Sequence, residues 1–449
     1  MVSTLYPQFG TDGVRGTYGK NFDEKFVYCL GISIARTLGT DKTFLVGRDT
    51  RTSGEPLAKA LISGLTYAGA NAEYISIMST PGIAFIAQKL GFRACAITAS
   101  HNPAQDNGVK VFDIGGKKIT EKAETEIESE LEKILQNIDV NFEVSEIKTT
   151  SYEDDYVNHL LKLVSSQNLN NLNVVLDCAN GAAYSIATKV FKDLGAQVVA
   201  INTKADGAHI NDNCGATHLE QLQTQVLNNN ADLGFAFDGD ADRVIAVDSN
   251  GIIRDGDFIL ALFAQKMSRE NILKQNAIAV TSMSNGALKT YLSGLGIDVH
   301  ETDVGDKFVL QEIVNNNLSL GGEQSGHIIR TDIALWGDGI ANALFIAKYY
   351  SRDKDNNENL SSNAFFDFYE PMIQIHEKVH VANKSNAINN DLIIEAVEHE
   401  LNELEKGSRI VLRPSGTEEV VRISVESFDA EKAQSAISNL SNVVKEECK

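Results

Sequence analysis

Three aspartates at alternate positions carry the clearest chemical signal in the sequence: Asp238, Asp240 and Asp242. They follow an apolar run, residues 233–237, that predicts a buried strand, and Gly239 lets the backbone turn between them. Carboxylates this close repel one another unless they share a hard cation, so the spacing predicts one bound Mg²⁺ per chain. A calcium-binding EF-hand loop is excluded, because its twelfth position is Ser249 instead of glutamate. A solvated acidic turn is the alternative.

A second signal is Ser100, which lies in the segment 98–103 after the apolar run 94–97. The run predicts a strand and the closing proline a turn, so Ser100 is expected at the carboxyl end of a strand, where α/β sheets bind ligands. A serine hydroxyl held there could act as a nucleophile or phosphoryl carrier, and an ordinary serine turn is the alternative. His101 and Lys110 are candidate proton-transfer groups, with a structural or solvated role as the alternative.

Other stretches favour binding of a sugar and of phosphate. Residues 321–327 combine glycines with polar side chains that could bind a ligand, among them Glu323, Ser325 and His327. Such a loop can approach a ligand closely and accept hydrogen bonds from sugar hydroxyl groups, or it is simply a flexible surface loop. Arg15, in the glycine-rich residues 9–16, could contact a reacting phosphate, or the stretch is a structural turn. Arg243, next to the last aspartate, could pair with a carboxylate or reach a phosphate.

A phosphate cradle is predicted between two strand-like runs near the C-terminus. Its members supply guanidinium groups, hydroxyl groups and a glycine amide: Arg413, Ser415, Gly416, Thr417 and, downstream, Arg422. The stretch lacks GxxxxGKS, so it is not a nucleotide P-loop. The alternative is a hairpin turn with a surface arginine.

A weak internal repeat predicts the elements that position these residues. Strand-like runs with glycine-bearing loops start near residues 43, 174 and 277, and each continues through a helix-like stretch to a second strand, which is typical of parallel βαβ units. Each copy then presents a polar loop after its third strand, centred on Ser100, Asp238 and Glu323. The three loops could face one shared cleft, since sites favour domain interfaces, or each unit has its own site.

Four domains are predicted, with the boundaries 1–150, 151–253, 254–363 and 364–449. An amphipathic helix is expected near 123–136, followed by a polar linker up to about residue 152. The charged, asparagine-rich stretch 351–363 predicts a further domain boundary. The last segment alternates strands and helices as a small α+β domain does.

The composition narrows the class of protein. The chain has 449 residues, 43% hydrophobic and 22% charged, and a formal net charge of −21, which opposes nucleic acid or an anionic membrane as a partner. We expect no transmembrane segment and no signal peptide, because no apolar run is long enough and the N-terminus lacks a basic, apolar leader. The five cysteines are widely spread, which fits reduced thiols and a cytoplasmic location. A monomer and a homodimer remain alternatives.

Five motifs in this order resemble the α-D-phosphohexomutase family over essentially the whole chain. They are FGTDGVRG from Phe9, TASHNP from Thr98, DGDADR from Asp238, GEQSGH from Gly322 and RPSGT from Arg413. The resemblance implies three similar mixed-sheet α/β domains and a C-terminal α+β domain around a central cleft. It also implies that Ser100 carries a phosphoryl group that ligates Mg²⁺ together with the aspartate triad, while Glu323 and Ser325 bind sugar hydroxyls and the cradle binds the substrate phosphate.

Three further strings resemble one bacterial subgroup: DCANGA from Asp177, NCGAT from Asn213 and VGDK from Val304. This implies interconversion of glucosamine 6-phosphate and glucosamine 1-phosphate through glucosamine 1,6-bisphosphate, for UDP-N-acetylglucosamine and peptidoglycan precursor synthesis. Alternatives are a phosphomannomutase/phosphoglucomutase of the same family, a serine-dependent metal phosphatase and a non-catalytic sugar-phosphate sensor. The chain departs from the subgroup at Leu335-Trp336, where two threonines are usual, and at Glu419, where proline is usual and where a carboxylate could weaken phosphate binding.

Overall fold

The computed structural model describes residues 6–137, 147–165, 167–415 and 419–449. Its contacts divide the chain into two compact units. The first comprises the chain up to Ser282 together with His300–Phe366, and the second comprises Met283–Val299 together with Asp367–Lys449. Among the described residues, no helix combines the length and the apolar character needed to cross a membrane.

The first sheet has the strand order β1-β2-β6-β5-β3-β4, with β7 paired to β6. Its strands are β1 Phe9–Gly10, β2 Gly13–Thr17, β3 Phe44–Arg48, β4 Ala72–Ile77, β5 Arg93–Ile97, β6 Asp106–Asp113 and β7 Lys117–Lys118. The neighbouring helices are α1 Glu24–Leu38, α2 Gly54–Tyr67, α3 Thr80–Leu90, α4 Glu121–Asn137 and α5 Glu153–Leu163. Strand β5 is buried along its whole length, because an α/β sheet covered on both faces needs apolar side chains on both.

The second sheet has the order β12-β11-β10-β8-β9. Its strands are β8 Asn173–Asp177, β9 Gln197–Ile201, β10 Leu233–Phe237, β11 Val244–Asp248 and β12 Ile253–Arg254, and its helices are α6 Ile186–Asp193 and α7 Glu220–Asn228. Short 3-10 turns lie at Gly215–Thr217 here and at Lys274–Asn276 and Lys384–Ile388 further on.

The third sheet has the order β14-β13-β15-β16. Its strands are β13 Ala277–Thr281, β14 Asp298–Thr302, β15 Leu320–Gly322 and β16 Ile328–Arg330. The helices of this part of the chain are α8 Gly256–Arg269, α9 Gly286–Gly294, α10 Asp306–Asn315, α11 Gly339–Asn356 and α12 Ser362–Phe366. Of these helices, α9 belongs to the second compact unit.

The three sheets repeat one core order, which appears as β4-β3-β5-β6, β9-β8-β10-β11 and β14-β13-β15-β16. The third strand of each repeat runs parallel to the first, and the fourth strand turns back antiparallel. The loops centred on Ser100, Asp238 and Glu323 therefore occupy the same place in each repeat, after the third strand. This is the place that the internal repeat of the sequence predicts for them.

The second unit contains an antiparallel sheet in the order β17-β19-β18. Its elements are β17 Ile373–His380, β18 Arg409–Pro414, β19 Val420–Ser427, α13 Asp391–Glu403 and α14 Ala430–Glu447. Apolar side chains of β19 and α14 form its core, among them Val421, Ile423 and Leu440. The outer strand β17 is mostly exposed or half-buried, as one-sided antiparallel sheets allow.

The predicted fold class, mixed-sheet α/β domains followed by an α+β domain, is confirmed by these four sheets. Within the stretch 351–363, helix α11 continues to Asn356. Its charged residues face partners instead of solvent alone: Lys354 pairs with Asp232 at 2.6 Å and Asp353 with Lys266 at 2.5 Å. The polar linker after α4 falls largely on residues 138–146, outside the described residues. The four domain boundaries and the central cleft stay predictions.

Candidate active site

Ser100 lies in the loop between β5 and β6, in a left-handed backbone conformation with φ of 53°. Its hydroxyl donates a hydrogen bond to Asp238 Oδ2 at 2.6 Å, and His101 Nδ1 lies 3.3 Å from Ser100 Oγ. Gly239 makes this approach feasible, because a Cβ at that position would lie 2.6 Å from the Ser100 carbonyl oxygen. The serine loop and the acidic loop are therefore in direct contact.

The three aspartates of the acidic loop offer oxygen atoms that all lie within 4.8 Å of one another. All three side chains are buried, and Asp240 Oδ1 and Asp242 Oδ1 make no hydrogen bond to the part of the chain that the structure describes. Buried carboxylate oxygens at this spacing, with no hydrogen-bond donor among the described residues, fit a hard divalent cation such as Mg²⁺. Burial, reinforced by Asp242 and Asp240, raises the pKa of Asp238 well above its usual range. The triad could therefore hold a metal ion.

Lys110, on β6, places its ammonium among three carboxylates. Its Nζ lies 2.8 Å from Asp12 Oδ2, 2.8 Å from Asp240 Oδ2 and 2.7 Å from Asp242 Oδ2. Burial by itself lowers the pKa of Lys110, but these three carboxylates outweigh it and raise the pKa well above its usual range. A lysine held protonated in this way is suited to neutralising charge and unsuited to accepting a proton.

His101 has the opposite electrostatic environment. Burial, together with the positive charges of Arg243 and Arg15, lowers the pKa of His101 to about 4. The imidazole is therefore neutral near pH 7, and a ring nitrogen next to the Ser100 hydroxyl is available to accept a proton. Of the two predicted proton-transfer groups, the geometry and charge favour His101.

A chain of ion pairs extends from the acidic loop towards the third repeat. Arg15 Nη2 pairs with Asp12 Oδ2 at 2.9 Å, and Lys118 joins Asp12 at 2.7 Å to Asp306, at the start of α10. His327 Nε2 lies 3.6 Å from Asp306 Oδ2, and only 4% of His327 is exposed. His327 is thus enclosed by protein, so its surroundings favour support of the loop over direct contact with a sugar.

The loop of residues 323–327 lies against the acidic loop. The amide of Val244 donates to the Gly326 carbonyl at 3.1 Å, and the backbones of Arg243 and His327 pair in antiparallel register. Glu323 is half-buried and Ser325 is exposed, so both can meet a ligand. A groove of about 330 Å³ beside them is lined in part by Arg243 and Ser325.

The start of α8 supports this loop from behind. Gly256 is required there, because a Cβ at that position would lie 2.1 Å from the Glu323 carbonyl oxygen. Asp255 Oδ2 accepts a hydrogen bond from Gln324 Nε2 at 3.2 Å, and the Gly256 amide donates to the Gln324 carbonyl at 2.9 Å. The position of Glu323 is therefore fixed by its neighbour in the chain.

The predicted phosphate cradle belongs to the second unit. Arg413 on β18 and Arg422 on β19 are directly opposite each other in antiparallel register, so they share one face of the sheet. The Ser415 amide closes the hairpin by donating to the Val420 carbonyl at 2.9 Å. Gly416 and Thr417 lie outside the described residues. Two guanidinium groups on one face of a sheet suit the binding of an anion such as phosphate.

The two departures from the expected subgroup pattern have plain structural accounts. Glu419 pairs with Lys384 Nζ at 3.1 Å, and this partner screens the carboxylate that could weaken phosphate binding. Trp336 is buried, and its indole ring packs against Gly116, where a Cβ would lie 2.7 Å from the ring. Neither residue contacts the acidic triad through a hydrogen bond or ion pair that the structure describes.

Sequence reasoning missed several residues of the site. Thr80 Oγ1 donates to Asp240 Oδ2 at 2.6 Å, and Asp12 pairs with Lys110. Arg51 and Asn211 hold the backbone of the serine loop. One signal could have found Thr80 and Arg51: each follows a strand of the first repeat, at the sheet edge where the Ser100 loop also lies.

Comparisons with known proteins agree with this organisation. Four models of the phosphoglucomutase/phosphomannomutase family match the chain in order: the alpha/beta/alpha domain I at 7–138, domain II at 154–251, domain III at 255–365 and the C-terminal domain at 377–440. A phosphoglucosamine mutase of Caldicellulosiruptor saccharolyticus is 38% identical, with 97% of this chain and 98% of that protein covered.

Solved structures share the fold at lower identity. A phosphoglucomutase/phosphomannomutase family protein of Burkholderia thailandensis superimposes with a TM-score of 0.77 and 22% identity, covering 100% of this chain and 98% of that one. An N-acetylphosphoglucosamine mutase of Aspergillus fumigatus, in complex with GlcNAc-6P and magnesium, gives a TM-score of 0.69 and 17% identity, covering 99% and 96%.

Proposed function

We propose that this chain, which belongs to the phosphoglucomutase/phosphomannomutase family and is a phosphomutase, interconverts glucosamine 6-phosphate and glucosamine 1-phosphate. The observation that carries the proposal is the Ser100 hydroxyl, 2.6 Å from Asp238 Oδ2 beside a buried acidic triad. A serine next to a cation site is suited to carry a phosphoryl group, because phosphoryl transfer depends on positioning and charge neutralisation. The phosphoglucosamine mutase relative favours the hexosamine substrate.

The reaction starts from the Ser100 phosphate. The O1 hydroxyl of glucosamine 6-phosphate bonds to phosphorus and gives up its proton, for which His101 is the candidate acceptor. The bond between Ser100 Oγ and phosphorus breaks, and Oγ takes up a proton to become a free hydroxyl. The resulting glucosamine 1,6-bisphosphate reorients. Ser100 Oγ then gives up its proton as it takes the phosphoryl group from O6, O6 gains a proton, and glucosamine 1-phosphate leaves. Ser100 is phosphorylated again, so no phosphate is consumed.

The remaining site residues position the substrate and neutralise the negative charge of its phosphate groups. When bound by the triad, Mg²⁺ would offset negative charge on the phosphoryl oxygens. Lys110, Arg15 and Arg243 add fixed positive charge near Ser100, as a transferring phosphoryl group needs. Glu323 and Ser325 would bind sugar hydroxyls. The substrate phosphate that is not reacting would bind the cradle: Arg413, Ser415, Gly416, Thr417 and Arg422.

The proposal is tested with the full chain in two measurements. Intact mass before and after phosphatase treatment, with peptide mapping, is expected to find one phosphoryl group on Ser100. Coupled assays compare glucosamine, glucose and mannose 6-phosphates, each primed with its own 1,6-bisphosphate. We expect kcat/KM for glucosamine 6-phosphate to be at least roughly tenfold higher than for the others, a ratio typical of one polar ring contact.

The other outcomes identify the alternatives. Equal or better turnover of a plain hexose phosphate would assign the chain to the phosphomannomutase/phosphoglucomutase activity, with the same chemistry. Release of inorganic phosphate in place of an isomer would indicate a phosphatase, and binding without turnover a sugar-phosphate sensor.

A further inference from the structure

We propose that Arg51 is a positioning residue that clamps the backbone of the Ser100 loop and thereby aims the serine hydroxyl. The inference rests on the proposed function for the role of Ser100. Arg51 lies in the loop between β3 and α2, and none of its side chain is exposed. It does not touch the reacting atoms, so it acts through the loop that it holds.

The guanidinium of Arg51 uses all five of its N–H donors. Nε donates to Asp49 Oδ2 at 3.0 Å. Nη2 donates to the carbonyl oxygens of Ser100 at 3.0 Å and Asn102 at 2.8 Å. Nη1 donates to the carbonyl oxygens of Asp106, at 2.9 Å, and Pro103. One planar group thus fixes three peptide carbonyls of the loop that carries Ser100 and the carbonyl of Asp106, where β6 begins.

Asp49 links the clamp to the start of the loop. Its Oδ2 also accepts a hydrogen bond from Thr98 Oγ1 at 2.7 Å, and Thr98 Oγ1 in turn accepts one from the Ser100 amide at 2.9 Å. Ser100 is therefore held at both its carbonyl and its amide by one connected set of buried hydrogen bonds.

Asn211, in the loop between β9 and α7, holds the same peptide groups from the second repeat. Its Nδ2 donates to the Ser100 carbonyl at 2.9 Å and to the Asn102 carbonyl at 3.0 Å. Asn211 is buried. Two donors from different parts of the chain converge on the carbonyl of the one residue that the proposed reaction modifies.

The backbone of Ser100 explains why a clamp is needed. Its φ of 53° is disfavoured for an L-amino acid other than glycine, so the loop relaxes unless surrounding contacts hold it. Relaxation would move Oγ away from Asp238, and small misplacements of a reacting group are costly in rate. Lysine cannot replace the arginine, because its single ammonium lacks the rigid fork that spans several carbonyls.

The test compares Arg51→Lys with Arg93→Lys in the full chain. Arg93 is a matched control: it is buried, it bonds Asp41 and Asp113 at 3.0 Å each, and it begins the strand β5 whose opposite end leads to Ser100. We expect Arg51→Lys to lower kcat about 100-fold with KM for the sugar phosphate changed less than twofold. Amide hydrogen exchange over residues 99–106 should accelerate in this variant only.

The proposed clamp would be overturned if Arg51→Lys kept both kcat and the rate of loop amide exchange within threefold of the unsubstituted chain. It would also be overturned if Arg51→Lys and Arg93→Lys lost kcat equally. Asn211→Ala is the second variant, should Arg51→Lys fail to fold. It removes one donor from each of two carbonyls, and we expect about a tenfold lower kcat with faster loop exchange. Unchanged values there would also overturn the inference. Absence of mutase activity in the unsubstituted chain would refute the proposed function. The clamp would still be tested in that case, because the rate of amide hydrogen exchange does not depend on turnover.

Discussion

Substitution of Thr80 tests most directly whether a hydrogen bond to the acidic loop orients that loop for binding a cation. Its hydroxyl donates to Asp240 Oδ2 at 2.6 Å, and its amide donates to the Asp240 carbonyl at 3.0 Å. Thr80→Val removes only the hydroxyl and keeps the branched shape at the start of α3. The buried Asp240 side chain then retains Lys110 as its partner but loses the donor that orients it.

The size of the effect can be derived in two ways. Loss of a group that orients a metal ligand typically weakens metal binding about 10- to 100-fold. Independently, a hydrogen bond to a charged group contributes about 1.5–3 kcal/mol, and about 1.4 kcal/mol corresponds to tenfold in affinity. Both routes predict that Thr80→Val raises the Kd for Mg²⁺ at least about tenfold.

Isothermal titration calorimetry with Mg²⁺ measures this change without any assay of turnover. Thr224→Val is the control, because Thr224 is exposed on α7 and its Oγ1 donates to the Glu220 carbonyl at 2.8 Å, within the same helix. The reasoning would be refuted if Thr80→Val, at unchanged thermal stability, bound Mg²⁺ with a Kd within threefold of that of the unsubstituted chain.

Three further predictions follow. Ser100→Ala is expected to retain the fold by circular dichroism and to lose nearly all mutase turnover and the phosphoryl mass, and full activity would contradict the carrier role. EDTA should abolish activity and Mg²⁺ restore it, whereas Asp240→Asn should raise the Mg²⁺ concentration needed; an unchanged requirement in that variant would argue against the triad. Burial raises the pKa of Asp338 to about 6, so the folded state binds the proton of this carboxyl more tightly than the unfolded chain does. The contribution of Asp338 to the free energy of unfolding is therefore lost as pH rises from about 4 to 6. Asp338→Asn should therefore gain stability relative to the unsubstituted chain across that range, by up to about 3 kcal/mol in denaturant titrations, and a pH-independent difference would show that the carboxyl does not titrate there.

The elements of the fold were largely predictable, because hydrophobic runs and glycine stops mark each βαβ copy. The run before Asp238 predicts a strand over 233–237, and the structure has β10 at Leu233–Phe237. The polar composition of the stretch from Ser351 hides the end of helix α11, which continues to Asn356. Its charged residues form ion pairs with other segments, and such long-range partners leave no periodic signal in the sequence.

The groups that carry chemistry were visible as motifs, but the groups that hold them were not. Ser100, the aspartates and Glu323 stand in short, unusual strings. Arg51, by contrast, binds carbonyls about fifty positions away, and any residue type can supply a carbonyl. The same limitation applies to Lys110, whose three carboxylate neighbours come from two different loops. Its expected proton-transfer role could be weighed only once those charges were known.

The repeated strand order gives each loop of the candidate site its own pair of flanking strands, so each loop is a separate target for replacement. Residues 323–327 close between Gly322 and Ile328, which are paired with each other in antiparallel register, and residues 238–243 close in the same way between Phe237 and Val244. Because each loop is anchored at both ends by its own hairpin, a segment of equal length could be grafted into one hairpin while the others keep their register. Such a graft would have to keep the carbonyl of Gly326, because it accepts the hydrogen bond from the Val244 amide that joins the two loops.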